Sequence, residues 1–366
     1  PTPWSIPVAS SIPAPPALRP VPPATGLLLL WTPGGLPDGL EQQVAGLPDV
    51  AAVTMVRSDL AHLVYSRDAS GRTVDQTAPG FVIPLEVMAV DPSTYASLLP
   101  PGGRALVEGL GDGEALLGST SADLRRRGPG GTLGVEGETL SLVGVLDDLL
   151  AGAAEAVVDY RQGGRLGVTT PRYLLVAFAG DRSRFEAAVR DMLPDGLPVR
   201  VRGPGETPYL RHGDAVLPQA LIKEHFGEFS YRPGEGRELT IEREWAVDHI
   251  ITAELPIIGT VHCHRAFLPA LEGALTELEQ RNLVFLLDPE AFRGCWNPRL
   301  IAPGSGVSRH AWGVAVDLNY GVNRTGVQTA QDPRLVEVME RWGMAWGGPW
   351  LVPDPAHFEY VQPPRP

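Results

Sequence analysis

The chain has 366 residues, 43% hydrophobic and 20% charged, a balance that suits a globular protein with room for two domains. Its net charge is −13 and Lys223 is the only lysine, so no basic patch exists to bind nucleic acid or to hold anionic lipid. No stretch reaches the roughly 18–20 apolar residues of a membrane span, and because the numbering opens at Pro1 we expect a natural N-terminus, with any membrane anchor, to have been removed.

Pro1 to Ala24 carries a proline every two or three residues and reads as an extended tether. Globular patterning begins near Thr25. Leu27–Trp31 is a predicted strand, Leu36–Ala45 a short helix, and Val50–Val56 and Ala61–Tyr65 two further strands. Val82–Val90 is another strand. Asp91-Pro92 then starts a helix, with Asp91 as the cap and Pro92 in the first position. Ala115–Gly118, Gly131–Val135, Thr139–Leu146 and Tyr173–Phe178 are short glycine-punctuated strands; Ser183–Met192 is helical and Val199–Val201 closes the set. The sum is an α+β domain with a mixed sheet over 25–205. His62 reads as structural, and Arg125-Arg126-Arg127 as a solvated loop beside Gly128-Pro129-Gly130.

Gly203-Pro204-Gly205-Glu206-Thr207-Pro208 marks a boundary, so 206–366 is taken as a second α+β domain. Trp245 is expected to pack inward. Pro269 lies early in a helix that runs to about Arg281, with Leu271, Leu275 and Leu278 as its buried stripe. Leu283–Leu287 reads as a buried strand. Asp332-Pro333 caps a helix whose Leu335, Val336, Met339 and Trp342 face inward, and Gly343 ends it before a strand at Met344–Gly347. Cys263 and Cys295 are the only cysteines. They are expected as a disulfide, which for a loop of about 30 residues stabilises by roughly 3–4 kcal/mol. A metal held by His262-Cys263-His264 with Cys295, or two free thiols, are the other readings.

Two stretches carry chemistry. Ser308-Arg309-His310-Ala311-Trp312-Gly313-Val314-Ala315-Val316-Asp317 and Asp354-Pro355-Ala356-His357-Phe358-Glu359 together supply two histidines, an aspartate and a further carboxylate. That is the inventory of a catalytic Zn2+ site, with three protein ligands, one open position and a proton acceptor. His310 and Asp317 would stand roughly 23 Å apart on a strand and about 10 Å apart on a helix, so the chain must fold back between them. Ala311 and Gly313 permit a tight turn, and Val314–Leu318 then reads as a strand. Asp354 and His357, three apart, are placed on one turn that starts at Pro355.

The pattern Ser-x-His-x-x-Gly-x-Ala-x-Asp followed by Asp-x-x-His-Phe-Glu resembles the VanY-type zinc peptidases, which are D-Ala-D-Ala carboxypeptidases and L-alanyl-D-glutamate endopeptidases. The resemblance extends over Lys223 to Tyr360. It implies His310, Asp317 and His357 as zinc ligands, Asp354 as general base and Arg299, eleven residues before His310, as the catalytic arginine. The Tyr-Arg-Ser context that many members show around that arginine is replaced here by Asn297-Pro298-Arg299. It also implies a small antiparallel sheet with helices on one side and the metal on its open face. Aspartate at 354 with Phe358-Glu359 after the histidine is more similar to the endopeptidase branch. Ser308 either holds substrate backbone or caps its turn, and Trp346 and Trp350 either line a groove or fill core; Ser308 and Trp346 are carried forward as candidate substrate contacts. Glu359 is the candidate acceptor behind a histidine. The N-terminal half resembles loosely, around Asp91-Pro92-Ser93 and Gly131-Thr132-Leu133, the extracytoplasmic domain of MacB/FtsX-type permeases.

The expectation is therefore an extracytoplasmic zinc peptidase acting on peptidoglycan stem peptides, with an N-terminal module that positions it or meets a cell-envelope partner. The competing expectation is a catalytically inert metal module that regulates a wall or membrane complex.

Overall fold

A computed structural model describes residues 26–361 apart from 127, 207, 209 and 303–305. The tether expected over 1–24 and Arg127 lie outside the described residues. The spine of the N-terminal half is one 18-residue strand, Val50–Arg67. It replaces the two strands expected at Val50–Val56 and Ala61–Tyr65. The polar triplet Arg57-Ser58-Asp59 does not interrupt the ladder, because Ser58 sits opposite Met88 and Asp59 opposite Val87. The Asp59 carboxylate accepts the Thr169 and Thr170 amides at 2.9 and 2.8 Å and pairs with Arg172 at 2.6 Å, so no buried polar group is left unmatched there.

Ten strands form one mixed sheet. Its order is Arg200–Arg202, Leu27–Trp31, Pro171–Phe178, Val50–Arg67, Ile83–Val90, Ala156–Asp159, Glu114–Gly118, Glu138–Leu146 and Thr132–Val135, with Thr73–Gln76 beside the end of the long strand. Two pairs are parallel, Ile83–Val90 with Ala156–Asp159 and Glu114–Gly118 with Glu138–Leu146. The short strands Thr73–Gln76 and Ala156–Asp159 and the helices Pro101–Glu108, Ser119–Leu124 and Tyr160–Arg165 were not anticipated. The capped start at Asp91 is as expected: its carboxylate accepts the Ser93 and Thr94 amides. The helix expected from Leu36 begins only at Leu40, behind Gly39 at φ 79°.

In the C-terminal half the helix Leu268–Gln280 buries Leu271, Leu275 and Leu278 completely. The helix Pro333–Arg341 packs beside it through Leu335 and Met339. Leu283–Leu287 is not a strand. It makes a short 3-10 turn at Val284–Leu286 in which only the flanking Leu283 and Leu287 are buried, while Phe285 is 71% exposed. A five-residue apolar run cannot declare its period, and Asn282 at φ 56° turns the chain just before it. The expected disulfide is present: Cys263 and Cys295 are bonded, with Cα atoms 4.9 Å apart.

The two halves interlock. Val82 and Tyr231 exchange backbone hydrogen bonds of 2.8 Å, and His62 joins them, its Nε2 2.9 Å from the Tyr231 hydroxyl. Arg125 overturns the expectation of a solvated loop, because its side chain is wholly buried. It makes a two-pronged pair with Glu228 at 2.9 and 3.0 Å, and Lys223, equally buried, reaches Glu155 at 2.7 Å and Glu228 at 2.9 Å. Two cations thus hold Glu155 and Glu228 between the N-terminal sheet and the helix Gln219–Phe226, with a third carboxylate, Asp75, 3.5 Å from Arg125.

Candidate metal centre

The site is assembled on a three-stranded antiparallel sheet in which His357–Tyr360 lies between Ala315–Asp317 and Met344–Trp346. Alternation sends Phe358 into the core, and His357 and Glu359 to the opposite face. The register sets Asp317 directly opposite His357. Asp354 and His357 share one turn as expected, closed by the 3.0 Å bond from the His357 amide to the Asp354 carbonyl, and His357 is at the same time the first residue of the strand that follows.

His310 arrives by the fold-back that its spacing demanded. Ser308 caps a 3-10 turn, Arg309–Trp312, its hydroxyl accepting the His310 amide. Gly313 follows at φ 69°, where a β-carbon would come within 2.9 Å of the His264 nitrogen, and the strand Ala315–Asp317 begins two residues later. The seven-residue separation thereby shrinks to 3.3 Å between His310 Nε2 and Asp317 Oδ1.

His310 Nε2, Asp317 Oδ1 and His357 Nδ1 form a metal-sized cluster, all within 4.8 Å of one another. The two histidine nitrogens lie 3.3 and 3.1 Å from the Asp317 oxygen. Ligands about 2.0–2.1 Å from a tetrahedral ion stand about 3.3–3.4 Å apart, so the spacing suits a cation. The other ring nitrogens agree. His310 Nδ1 is 3.1 and 3.2 Å from the carbonyls of Gly294 and Cys295, which only accept, so it carries the proton and Nε2 offers its lone pair. His357 Nε2 faces Glu359 at 3.5 Å, the acceptor expected for it. The residues present fit a divalent ion.

The electrostatics favour positive charge at this point. Burial works against a charged His357 ring, yet Asp317 and Glu359 together carry it up to about 10. Burial would raise the Asp317 carboxyl, but hydrogen bonding to His310 and His357 holds it well below the usual carboxylate range. Asp354 goes the other way. Burial raises it, the His357 charge opposes and the Asp317 charge adds to the rise. Its Oδ1 accepts from the Thr325 hydroxyl at 3.0 Å. Arg299 is partly buried, which lowers its pKa, while the charges of Asp317 and Asp354 pull it back up, so it lies within electrostatic reach of both.

The remaining candidates divide. Ser308 is buried and its oxygen is engaged as a cap. Trp346 donates its indole N–H to the Pro355 carbonyl at 2.8 Å and so braces the turn after Asp354. Trp350 lies against the ligand itself, its ring 5.3 Å from that of His357. Sequence reasoning missed Thr325 and Arg309. Arg309 is buried, donates to the Leu217 carbonyl at 2.6 Å and stands 3.9 Å from Glu359. Neither has a spacing signal; a serine, threonine or arginine in a loop acquires such a role only by what folds onto it. The face of the sheet that carries His357 and Glu359 is not the open one expected, since Glu359 is 2% exposed and accepts the Val216 amide at 3.1 Å.

No curated protein matches the chain. Two solved structures are similar to its N-terminal half. The periplasmic region of MacB from Actinobacillus actinomycetemcomitans matches at 10% identity and a TM-score of 0.33, covering 50% of this chain and 90% of that one. The extracellular domain of the noncanonic ABC-type transporter YknZ from Gram-positive bacteria matches at 13% identity and a TM-score of 0.32, covering 48% of this chain and 100% of that one. Residues 302–360, which hold His310, Asp317, Asp354 and His357, match the peptidase family described as D-alanyl-D-alanine carboxypeptidase.

Proposed function

We propose that the chain is a zinc-dependent peptidase that hydrolyses peptidoglycan stem peptides, at a D-Ala-D-Ala or an L-Ala-D-Glu bond, outside the cytoplasm. The observation that carries this reading is the cluster of His310, Asp317 and His357, whose outward nitrogens are held by the Gly294 and Cys295 carbonyls and by Glu359. The family match over 302–360 supplies the substrate class. The Cys263–Cys295 disulfide supports an oxidising compartment.

His310, Asp317 and His357 would hold a divalent ion, which would supply a water of lowered pKa and Lewis acidity to polarise the scissile carbonyl. Asp354, raised by its burial, accepts the proton of the attacking water and passes it to the leaving amine. Arg299 offsets charge on the tetrahedral oxygen or grips a substrate carboxylate, for which its forked donors are suited. Trp350 flanks the site beside His357.

Metal analysis of the purified chain, combined with digestion of purified cell wall and identification of the new peptide termini, tests the proposal and reveals which bond is cut. His310→Ala is expected to lose both zinc and activity. Asp354→Ala is expected to keep zinc and lose activity by at least about 100-fold. An Asp354→Ala chain that still cleaves stem peptides at near the parent rate, or a parent chain that takes up no zinc, refutes it.

A further inference from the structure

Asp354 ends a loop, Gly347 to Asp354, whose base is closed on itself: the Gly347 carbonyl accepts the Trp350 amide at 3.2 Å and the Asp354 amide at 2.9 Å. The apex of that loop is held from elsewhere. The Leu351 amide donates to Asp214 Oδ2 at 2.6 Å, and Arg200 donates to the Pro349 carbonyl at 3.1 Å. The Leu351 side chain packs against the N-terminal core cluster that includes Leu27, Leu29 and Trp31. Asp214 is itself fixed by the N-terminal sheet. Its Oδ1 pairs with Arg200 and Arg202, both on the edge strand Arg200–Arg202, and its side chain is only 6% exposed. Arg202 also donates to the carbonyls of Arg211 and Gly213 at 2.9 and 2.7 Å, which pins the chain on both sides of His212 just ahead of Asp214.

We propose that Asp214 is a positioning residue for Asp354, and that with Arg200 and Arg202 it forms a strut by which the N-terminal sheet holds the 347–354 loop in its working place. This rests on the reading of Asp354 as the general base. The physical reason is the division of labour in the carboxylate. One oxygen is neutralised by two guanidinium groups of the sheet, and the other is left to accept a loop amide three residues before the base. A buried carboxylate with this double duty transmits the position of the sheet edge to the loop. The ligands His310, Asp317 and His357 sit on the turn and strands of the C-terminal half and make none of these contacts. The strut acts on the loop that ends in the base, a loop that also meets His357 through the Gly347 amide on the His357 carbonyl, 2.9 Å, and through the Trp350 ring, and the N-terminal half is thereby part of the peptidase site.

The test uses the full chain. In Asp214→Ala, kcat on a stem peptide is expected to fall about 10- to 100-fold, since a misplacement of about 1 Å suffices for that. KM and zinc content stay within about twofold, because His310 is also held by its own turn and Asp317 and His357 by their strand pairing. Hydrogen exchange at the Leu351 and Asp354 amides becomes faster. Asp214→Glu retains both acceptor oxygens, for the two guanidinium groups and for the Leu351 amide, and is expected to recover part of kcat, a rescue that a purely structural role does not require; Asp214→Asn, with one oxygen for these donors, is not expected to recover it. Should Asp214→Ala fail to fold, Arg200→Ala, at a site one-third exposed, releases the Pro349 carbonyl and one of the two guanidinium groups on Asp214, and is expected to lower kcat at least about threefold. Folded variants with parental kcat and parental exchange over 347–354 overturn the strut, even if their melting temperature drops. A parent chain with bound zinc and no hydrolysis refutes the peptidase reading instead; exchange at Leu351 and Asp354 then decides the strut without reference to activity.

Discussion

Lys223→Met removes one charge from the buried cluster between the two halves and leaves most of the side-chain volume in place. The lysine side chain is fully buried, with Nζ 2.7 Å from Glu155 and 2.9 Å from Glu228 and a further bond to the Pro84 carbonyl. At an effective dielectric near 20 each carboxylate contact carries a gross attraction of about 6 kcal/mol, offset by several kcal/mol of desolvation for each ion. The balance that matters is what remains after the change. Glu155, wholly buried, keeps Gln219 at 2.7 Å, the Glu86 amide at 3.2 Å and a long contact of 3.5 Å to Arg125, so it is left without its close cation. Breaking such a pair costs about 3–5 kcal/mol, and urea unfolding is expected to show a loss of that size. Adding Glu155→Gln removes the orphaned charge and leaves the Arg125–Glu228 pair balanced, so the double variant should recover at least half of the loss. A single substitution costing less than about 1 kcal/mol, or a double variant that costs the sum of the two singles, refutes the reasoning.

The same cluster sets an acid limit. Burial would raise Glu228, but Lys223 and Arg125 outweigh it and bring the group down to about 2. A carboxylate lowered on folding contributes stability that is fully present above its unfolded pKa, near 4.5, and is lost as pH falls toward 2. Lys223→Met should move that acid transition upward, and a superimposable pH–stability profile would contradict it. Glu359→Gln is expected to weaken zinc binding about 10- to 100-fold by calorimetric titration, because the His357 ring loses its charged acceptor; an affinity within threefold of the parent rules out that role. Replacing Cys263 and Cys295 together with serine opens a link between residues 32 apart, worth about 3.7 kcal/mol of unfolding free energy on the chain-entropy model. It should also lower zinc affinity, since the Cys295 carbonyl orients His310; denaturation showing less than about 1 kcal/mol of change counts against it.

Short-range chemistry was legible in the primary structure. Asp91-Pro92 and Asp332-Pro333 begin helices because a carboxylate and a proline satisfy the first turn wherever they occur, and both caps are formed. Leu271, Leu275 and Leu278 fall on one buried stripe because the helical period places them there. The residues that gather at the metal centre could be named from type, order and the fold-back that their spacing imposes. Long-range facts were not available in that way. Whether Arg57-Ser58-Asp59 breaks a strand depends on Thr169, Thr170 and Arg172, more than a hundred residues away. Arg125 looks like any loop arginine until Glu228 and Glu155 close over it. Asp214 and Thr325 carry no local signature, and their partners, Leu351 and Asp354, stand 137 and 29 residues away along the chain and reach them only in the folded molecule. Periodicity, capping and ligand inventory are properties of neighbours along the chain. The register that sets Asp317 against His357, and the charges that fix Asp214 beside the 347–354 loop, belong to surfaces that meet only in the folded molecule.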